Sequence, residues 1–199
     1  FSIAIPGIMK EMGWSKAELG AIGTALFWAY AVGQFIHGQL SHRFSSKHYL
    51  FVVIILSALM NLLVGPGIAL GIFILGAIWC LNGFFQAGGW SNCIKTLSQW
   101  FPPKARGKRM GYYGACYQVG NTLSWLLAGS VIASYGWRAG FWIPAIIFAA
   151  IGFIPLLFLK NRPEEVNLPA IELYEQHGEF AGMTVEQIKA KIKPKKEKE

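Results

Sequence analysis

Polar and aromatic side chains recur three, four or seven residues apart in three apolar stretches of the sequence, so each set shares one face of a helix. The three stripes are Tyr30, Gln34 and His37; Asn82, Gln86, Gly89, Trp90 and Cys93; and Tyr113, Tyr117, Asn121 and Ser124. Their amide, phenol and indole groups donate and accept hydrogen bonds, which is the chemistry of binding a polar solute. A nucleophile, a base and an orienting residue do not occur together, so we predict no enzyme and no cofactor.

The composition excludes a water-soluble protein. Of the 199 residues, 54% are hydrophobic and 14% are charged, and the net charge is +8. The excess of Lys and Arg lies in the apolar part, residues 1–159, whereas the remainder carries both signs equally. A nucleic-acid-binding protein would carry its basic residues on a soluble module, so we predict no nucleic-acid partner. Cys80, Cys93 and Cys116 lack metal-ligand spacing and are expected to be packing residues.

Uncharged runs divide the apolar part into membrane spans, each of which needs about 20 residues. They predict one partial span and five complete ones, at residues 1–9, 17–41, 48–64, 68–94, 111–134 and 139–159. We therefore expect the first helix to be truncated. We place a turn at Gly65-Pro66-Gly67, because the 47 uncharged residues between Lys47 and Lys95 are too many for one helix. Ser15 and Glu18 fit a capping box, which predicts that the second helix starts there.

The loops differ in charge between the two sides of the membrane. The junctions after spans two, four and six carry Arg43, Lys47, Lys95, Lys104, Arg106, Lys108, Arg109, Lys160 and Arg162, and the other side carries Lys10, Lys16 and Arg138. Basic residues accumulate in cytoplasmic loops. We therefore predict a multi-pass protein of the inner or plasma membrane. Its residues 1–160 form six spans, and residues 161–199 form a cytoplasmic linker that is partly disordered.

The three polar stripes should converge on one cavity, because a polar side chain that faces lipid loses its hydrogen bonds. The alternative is that they only join helices to each other. His37 lies near the cytoplasmic end and is expected to reach toward the headgroups. We predict that the solute is contacted by Tyr30, Gln34, Gln86, Trp90, Tyr113, Tyr117 and Asn121.

Small residues form a ridge on the second helix. Ala21, Ala25, Ala29 and Gly33 recur at four-residue spacing. A ridge of this kind allows two helix backbones to approach, so we expect it to pack closely against a neighbouring helix.

The loop from Gly38 to Lys47, GQLSHRFSSK, resembles the signature between the second and third helices of the major facilitator superfamily. That signature is approximately G-x-L-[SA]-D-R-x-[GS]-x-[RK], and His42 stands where the family has Asp. The resemblance implies a gating role for Gly38, Arg43 and Lys47.

Two further stretches are similar to the organophosphate:phosphate antiporter family, which includes glycerol-3-phosphate and hexose-phosphate transporters. One is Gly83–Trp90 with Cys93, Lys95, Trp100-Phe101 and Arg106-Gly107, which resembles that family's fourth-helix region. The other is Asn161–Pro169, which resembles the start of its central cytoplasmic loop. The resemblance extends to about Tyr174. It implies an all-α membrane protein, a major-facilitator-type six-helix bundle that is the amino-terminal half of a twelve-helix transporter.

The sequence departs from this family at positions that bear on the solute. Members that carry phosphorylated sugars have Lys in helix two and His in helix five, where this sequence has Gln34 and Tyr117. The family's helix-one Arg, a phosphate ligand, would lie before Phe1. A phosphate in a low-dielectric cavity needs cations or dense donors. The predicted wall therefore suits hydroxyl or carboxylate groups, with any charge neutralised by residues elsewhere.

The resemblance implies secondary active transport of a small polar, anionic organic solute by alternating access. Sugar phosphates, organophosphates and related organic anions all fit, and exchange with inorganic phosphate or coupling to protons are both open. The expected partners are this solute, the lipid bilayer and the carboxy-terminal half of the same transporter. The first alternative is a membrane sensor with the transporter fold that binds such a solute without flux. The second is a helical scaffold without a ligand.

Overall fold

Six α-helices follow one another in the part of the chain that the computed structural model describes, residues 1–168 and Gln187. They are α1 (Ile5–Met12), α2 (Lys16–Ser41), α3 (Ser46–Ala69), α4 (Ile72–Trp100), α5 (Pro103–Tyr135) and α6 (Ala139–Phe158), with 3-10 turns at Ser2–Ala4 and Pro163–Val166. This all-α six-helix bundle confirms the predicted fold class. Most of the predicted linker, from residue 169 onward, lies outside the described residues apart from Gln187.

Among the described residues, four helices are long and apolar enough to cross a membrane: α2, α3, α4 and α6. With eight residues, α1 is too short. With 33 residues, α5 is long enough, but it is less apolar than the other four long helices and falls outside this set. The complete span expected at residues 111–134 therefore stays a prediction.

The helices pack in an order that brings distant parts of the sequence together. The most extensive contact joins α2 to α4, and α3 packs between α4 and α6. The backbones of α2 and α4 nearly touch at Gly83 of α4. A methyl group added at Gly83 would lie only 2.5 Å from the Leu26 carbonyl oxygen of α2. Gly33 is buried against Phe84 and Ala87 of α4. The predicted small-residue ridge is wrong at its start, since Ala21 is exposed.

The turn expected at Gly65-Pro66-Gly67 is also wrong. Helix α3 continues through these residues to Ala69, and the chain reverses at Leu70 and Gly71, where Gly71 has a positive φ of 105°. The two glycines serve packing: a methyl group at Gly65 would lie 2.7 Å from the Trp142 ring. Helix α4 consequently begins at Ile72 instead of residue 68.

One end of the bundle lies away from the basic loops that follow α2 and α4, and we call it the opposite end. It is closed by apolar packing. It holds the start of α2, the turn between α3 and α4 and the turn between α5 and α6. The buried cluster there comprises Ala4, Ile8, Leu19, Ile22, Val64, Ile68, Leu75, Trp79, Trp137 and Phe141. Five of the six helices and the turn before α6 contribute to it, so this end is held as a single unit.

Charged residues reinforce the opposite end from outside the core. The Arg138 guanidinium donates to Glu11, with Nη1 to Oε2 at 2.7 Å, and Trp137 Nε1 donates to the same oxygen at 3.0 Å. The hydrogen bond from Arg138, and next that from Trp137, hold the pKa of Glu11 below its ordinary value. These contacts join α1 to the turn before α6. The predicted capping box is confirmed nearby: Ser15 N–H donates to Glu18 at 2.8 Å, and Glu18 N–H donates to Ser15 Oγ at 3.2 Å.

Candidate solute site

A chain of hydrogen bonds links α2 to α4 at the first polar stripe. Gln34 Nε2 donates to the hydroxyl of Tyr30 at 2.9 Å, and Ser91 Oγ donates to Gln34 Oε1 at 2.9 Å. All three side chains are half-buried. The structure therefore brings Tyr30 and Gln34 together through a serine that the sequence reasoning did not select.

An aromatic cluster joins α4 to α5 beside this chain. The Trp90 ring lies 4.9 Å from the ring of Tyr113 and 5.7 Å from that of Tyr117, between centroids. Trp90 precedes Ser91 in the sequence, so the aromatic cluster lies directly beside the hydrogen-bond chain. Five of the seven predicted wall residues, Tyr30, Gln34, Trp90, Tyr113 and Tyr117, thus form one neighbourhood on three helices.

The Gln86 side chain is tied to a separate polar group between α3 and α4. Its Nε2 donates to Asn82 Oδ1 at 3.1 Å, and the same oxygen accepts from Ser57 Oγ at 2.7 Å and from Asn61 Nδ2 at 3.3 Å. Asn82 and Ser57 are buried, so these bonds act as interhelical glue. Gln86 itself is exposed at the edge of this group.

Asn121 lies one turn beyond the aromatic cluster on α5. It lines an open hollow of about 310 Å³ with Thr122, Trp125 and Leu126, all on the same helix. The whole segment from Tyr117 to Leu126 is exposed. Contact between Asn121 and the solute stays a prediction, as does solute contact for the other six residues.

The expectation for His37 is wrong. The ring is buried, and its Nε2 lies 2.9 Å from the carbonyl oxygen of Phe84 while its Nδ1 meets the hydroxyl of Tyr49. A carbonyl oxygen only accepts, so Nε2 carries the hydrogen, and in the neutral ring Nδ1 accepts from Tyr49. His37 therefore joins α2 to α3 and α4 and does not extend to headgroups.

The other end of the bundle, which we call the basic end, holds the loop between α2 and α3, the loop between α4 and α5, and the segment after α6. Lys95 of α4 extends its ammonium group to the carbonyl oxygens of Ser41 at 2.6 Å and Phe44 at 2.7 Å. These carbonyls lie at and beyond the C-terminus of α2, where a cation is favourable. Arg106 does the same for α4, donating to Ser98 O and Phe101 O at 2.9 Å each.

The predicted gating residues lie within and beside the loop between α2 and α3. Arg43 is exposed, and the position of Gly38 faces open space. Lys47 takes part through its backbone N–H, which donates to Asn161 Oδ1 at 3.2 Å. The part that Gly38, Arg43 and Lys47 play in gating stays a prediction.

Asn161 docks the segment after α6 onto the start of α3. Its Oδ1 accepts from Ser45 Oγ at 3.1 Å as well as from Lys47 N–H, so it performs the N-capping that the Ser45 side chain does not. Its Nδ2 donates to Glu165 at 2.9 Å. This hydrogen bond is the main cause that lowers the pKa of Glu165 below its ordinary value. The loop between α2 and α3 is therefore held by both α4 and the segment after α6.

Sequence reasoning missed Ser91 and Asn161 as contact-making residues. Neither gave a signal, because their partners are 57 and 114 to 116 residues away in sequence. Lys95 was expected, with the other loop cations, to pair with helix ends or anionic headgroups, and it pairs with the end of α2.

Comparison with known proteins places these features in a family. The model of the Major Facilitator Superfamily matches residues 1–195. The chain is 33% identical over 177 residues to a glycerol-3-phosphate transporter of Bacillus subtilis, covering 87% of this chain and 40% of that protein. It is 31% identical over 176 residues to a probable hexose phosphate transport protein of Chlamydia trachomatis, covering 88% of this chain and 38% of that protein.

A third relative has a different described role. The chain is 28% identical over 198 residues to a membrane sensor protein of Escherichia coli, covering 96% of this chain and 45% of that protein. The chain thus spans less than half the length of these curated relatives. Because the family model covers nearly the whole sequence, the chain belongs to the Major Facilitator Superfamily, and its relatives are members of the organophosphate:phosphate antiporter family.

Proposed function

We propose that this chain forms the amino-terminal half of a secondary active transporter that moves a small polar, anionic organic solute by alternating access. The observation that carries the proposal is the neighbourhood of Tyr30, Gln34, Trp90, Tyr113 and Tyr117, contributed by three helices of a membrane bundle. Polar groups on membrane helices mark substrate pathways, and sites in this superfamily lie where the two halves meet. The carboxy-terminal half supplies the facing wall.

The solute class follows from the donors of this wall and from the relatives. Two of the relatives are described as transporters of hexose phosphate and of glycerol-3-phosphate, which supports a sugar phosphate, an organophosphate or a related organic anion. The phenol, amide and indole groups donate hydrogen bonds to such oxygens. Since Tyr30, Gln34, Trp90, Tyr113 and Tyr117 carry no charge, the neutralising cations come from residues outside this sequence, before Phe1 or in the other half. Inorganic phosphate or a proton is the coupled species.

A flux assay on the full-length protein tests this function. Reconstituted in proteoliposomes loaded with inorganic phosphate, the protein is expected to exchange it for external radiolabelled glycerol 3-phosphate or glucose 6-phosphate. A proton gradient imposed without internal phosphate separates exchange from proton coupling. Absence of binding and of flux for every anion tested would contradict the proposal.

The sensor alternative rests on the similarity to the membrane sensor protein of Escherichia coli. A sensor of this fold would bind the same class of solute without moving it. Saturable binding of glucose 6-phosphate by the purified protein, combined with no exchange in proteoliposomes, would favour the sensor over the transporter. Neither function makes or breaks a covalent bond, so we propose no enzymatic activity.

We further propose that this protein lies in the inner or plasma membrane and that its basic end faces the cytoplasm. Residues 1–160 then form the six-helix half, and residues 161–199 form the cytoplasmic linker. The cations at that end support this orientation. A single cysteine placed at Lys108, which is exposed, is expected to resist an impermeant thiol reagent in intact cells and to react after permeabilisation. Labelling in intact cells would contradict the orientation.

Tyr117 provides a sharp test of the proposed wall. Its exposed phenol packs edge-on against Trp90 and is available to a solute. Tyr117→Phe keeps the ring and removes the hydroxyl, so we expect the apparent affinity for glucose 6-phosphate to weaken by about 1–3 kcal/mol, roughly 5- to 150-fold. Tyr112→Phe is the matched control, because Tyr112 is equally exposed on another face of α5. Equal affinities in the two variants would remove Tyr117 from the site.

A further inference from the structure

We infer that the segment after α6, residues 159–168, holds the loop between α2 and α3 in place by capping α3 through Asn161. The loop is fully fixed only while this segment is docked, so the start of the linker controls the residues that precede α3. This role rests on the proposed function, because it concerns how the amino-terminal half moves during transport. It goes beyond that function by naming the residue that connects the linker to the loop.

The first turn of α3 has no cap from its own neighbourhood in the sequence. Ser45 occupies the N-cap position, but its side chain makes no capping hydrogen bond. Ser45 Oγ instead donates to Asn161 Oδ1 at 3.1 Å, and the same oxygen accepts the Lys47 N–H at 3.2 Å. An N-cap side chain normally accepts from the second or third helical residue, and Lys47 is the second residue of α3. Asn161, 114 residues after Lys47, therefore supplies the missing cap.

The partners of Asn161 determine the orientation of its amide. The Lys47 N–H only donates, so it must face the amide oxygen. The Glu165 carboxylate, 2.9 Å from Asn161 Nδ2, only accepts, so it must face the NH₂ group. The same carboxylate accepts the backbone N–H of Asn161 at 3.2 Å. The Asn161 side chain is thus held from both sides with its oxygen toward α3.

Two further features dock this segment onto the bundle. Trp100 Nε1, at the end of α4, donates to the carbonyl oxygen of Lys160 at 2.9 Å. Pro163 is buried at the start of the 3-10 turn, and the turn closes where Asn167 adopts a left-handed conformation with a φ of 61°. The start of the proposed linker is therefore a folded part of the amino-terminal bundle.

The two ends of the loop between α2 and α3 are held by different groups. Lys95 of α4 holds the end of α2 through the carbonyl oxygens of Ser41 and Phe44, whereas Asn161 holds the start of α3. Displacement of the linker would leave the first bond set intact and remove the cap of α3. The first turn of α3 then frays, and the loop loses one of its two anchors.

Hydrogen–deuterium exchange and anion exchange on the full-length protein test this role. Asn161→Ala is expected to speed amide exchange at residues 46–49 roughly 2- to 30-fold, the range for loss of an N-cap. In proteoliposomes, the maximal rate of exchange of inorganic phosphate for glucose 6-phosphate should fall several-fold. The KM should stay unchanged, because Asn161 lies outside the three helices that form the proposed wall.

A paired substitution supplies the rescue. Asn161→Asp combined with Glu165→Gln keeps the oxygen that faces α3 and exchanges donor and acceptor between the two side chains, so every bond can form again. This double variant should restore both slow amide exchange and the wild-type rate. Glu164→Gln is the control, because it removes the same charge at a neighbouring exposed position, and it should change neither quantity.

Unchanged amide exchange in Asn161→Ala, or faster amide exchange with an unchanged maximal rate, would overturn the proposed role of Asn161 and leave the proposed function standing. Failure of the wild-type protein to exchange either anion would instead refute the proposed function, while amide exchange still decides whether Asn161 caps α3. Comparable unfolding temperatures of all variants exclude misfolding as the cause.

Discussion

Gly83→Ala is expected to lower the free energy of unfolding by about 1–3 kcal/mol, the usual cost of overpacking a tight helix contact. The added methyl group would lie 2.5 Å from the Leu26 carbonyl oxygen and 2.9 Å from Leu26 Cγ. A backbone oxygen cannot rotate aside as a side chain does, so α2 and α4 must move apart. Thermal unfolding of the full-length protein in detergent measures the loss.

The same substitution elsewhere on α4 should have the opposite sign. At Gly76 the nearest neighbour of an added methyl group is Ile22 Cγ1 at 3.8 Å, an ordinary van der Waals contact. Gly76→Ala is therefore expected to stabilise the helix by up to about 1 kcal/mol, because alanine has the higher helix propensity. If both variants changed the unfolding temperature equally, the close approach of α2 and α4 at Gly83 would be wrong.

The separation caused by Gly83→Ala should also reach the solute site. Gln34 and Ser91 lie on the same pair of helices and are joined by a bond of 2.9 Å. A shift of about 1 Å lengthens that bond beyond hydrogen-bonding distance. The variant is therefore expected to lose solute affinity together with stability, whereas Gly76→Ala should retain its affinity.

Lys95→Met is expected to release the loop between α2 and α3. The ammonium group makes two charge-assisted hydrogen bonds, to Ser41 O and Phe44 O, and such bonds contribute about 1.5–3 kcal/mol each. Methionine keeps most of the side-chain volume and removes both bonds. Backbone amides of residues 42–45 should exchange with deuterium roughly tenfold faster or more, and flux should fall because the basic end no longer closes in one defined arrangement.

Arg43→Ala separates this structural role from the role implied by the family signature. Arg43 is exposed, and within the described part of the chain its side chain makes no hydrogen bond to the loop, so amide exchange should be close to that of the wild type. Under the resemblance, the same variant should still reduce flux more than surface expression. Fast loop exchange in Arg43→Ala together with slow exchange in Lys95→Met would reverse the two assignments and contradict the prediction for Lys95.

The two ends of the bundle are built differently, and this bears on alternating access. The opposite end is closed by buried apolar side chains from five helices, with Glu11 and Arg138 joining α1 to the turn before α6. The basic end is closed by hydrogen bonds to backbone groups: Lys95 donates to carbonyl oxygens at the end of α2, and Asn161 accepts from the Lys47 N–H at the start of α3. Backbone groups at an aqueous end can exchange protein partners for water, so we expect the basic end to rearrange more readily.

The sequence by itself determined where helices form and which residues share a helix face. The Ser15 and Glu18 capping box placed the start of α2, and runs without charge predicted the helices from α2 to α6. The cations of the loops marked the basic end, and spacing along each helix placed Tyr30 with Gln34 and Tyr113 with Tyr117. The capping box and the helical spacings depend on residues within about seven positions of each other, which is the range over which helical geometry is set. The uncharged runs and the loop cations depend on composition alone.

Only the tertiary structure decided which residues meet across helices. Ser91 could not be chosen as the partner of Gln34, because periodicity gives the face of a helix but neither its neighbour nor their relative height. For the same reason His37 was expected at headgroups and is instead buried between α3 and α4. Gly65 and Gly67 resembled a turn because glycine suits turns and close packing equally. The Trp142 ring, 77 residues later in the sequence, decides for packing, since it occupies the space in which a side chain at Gly65 would lie.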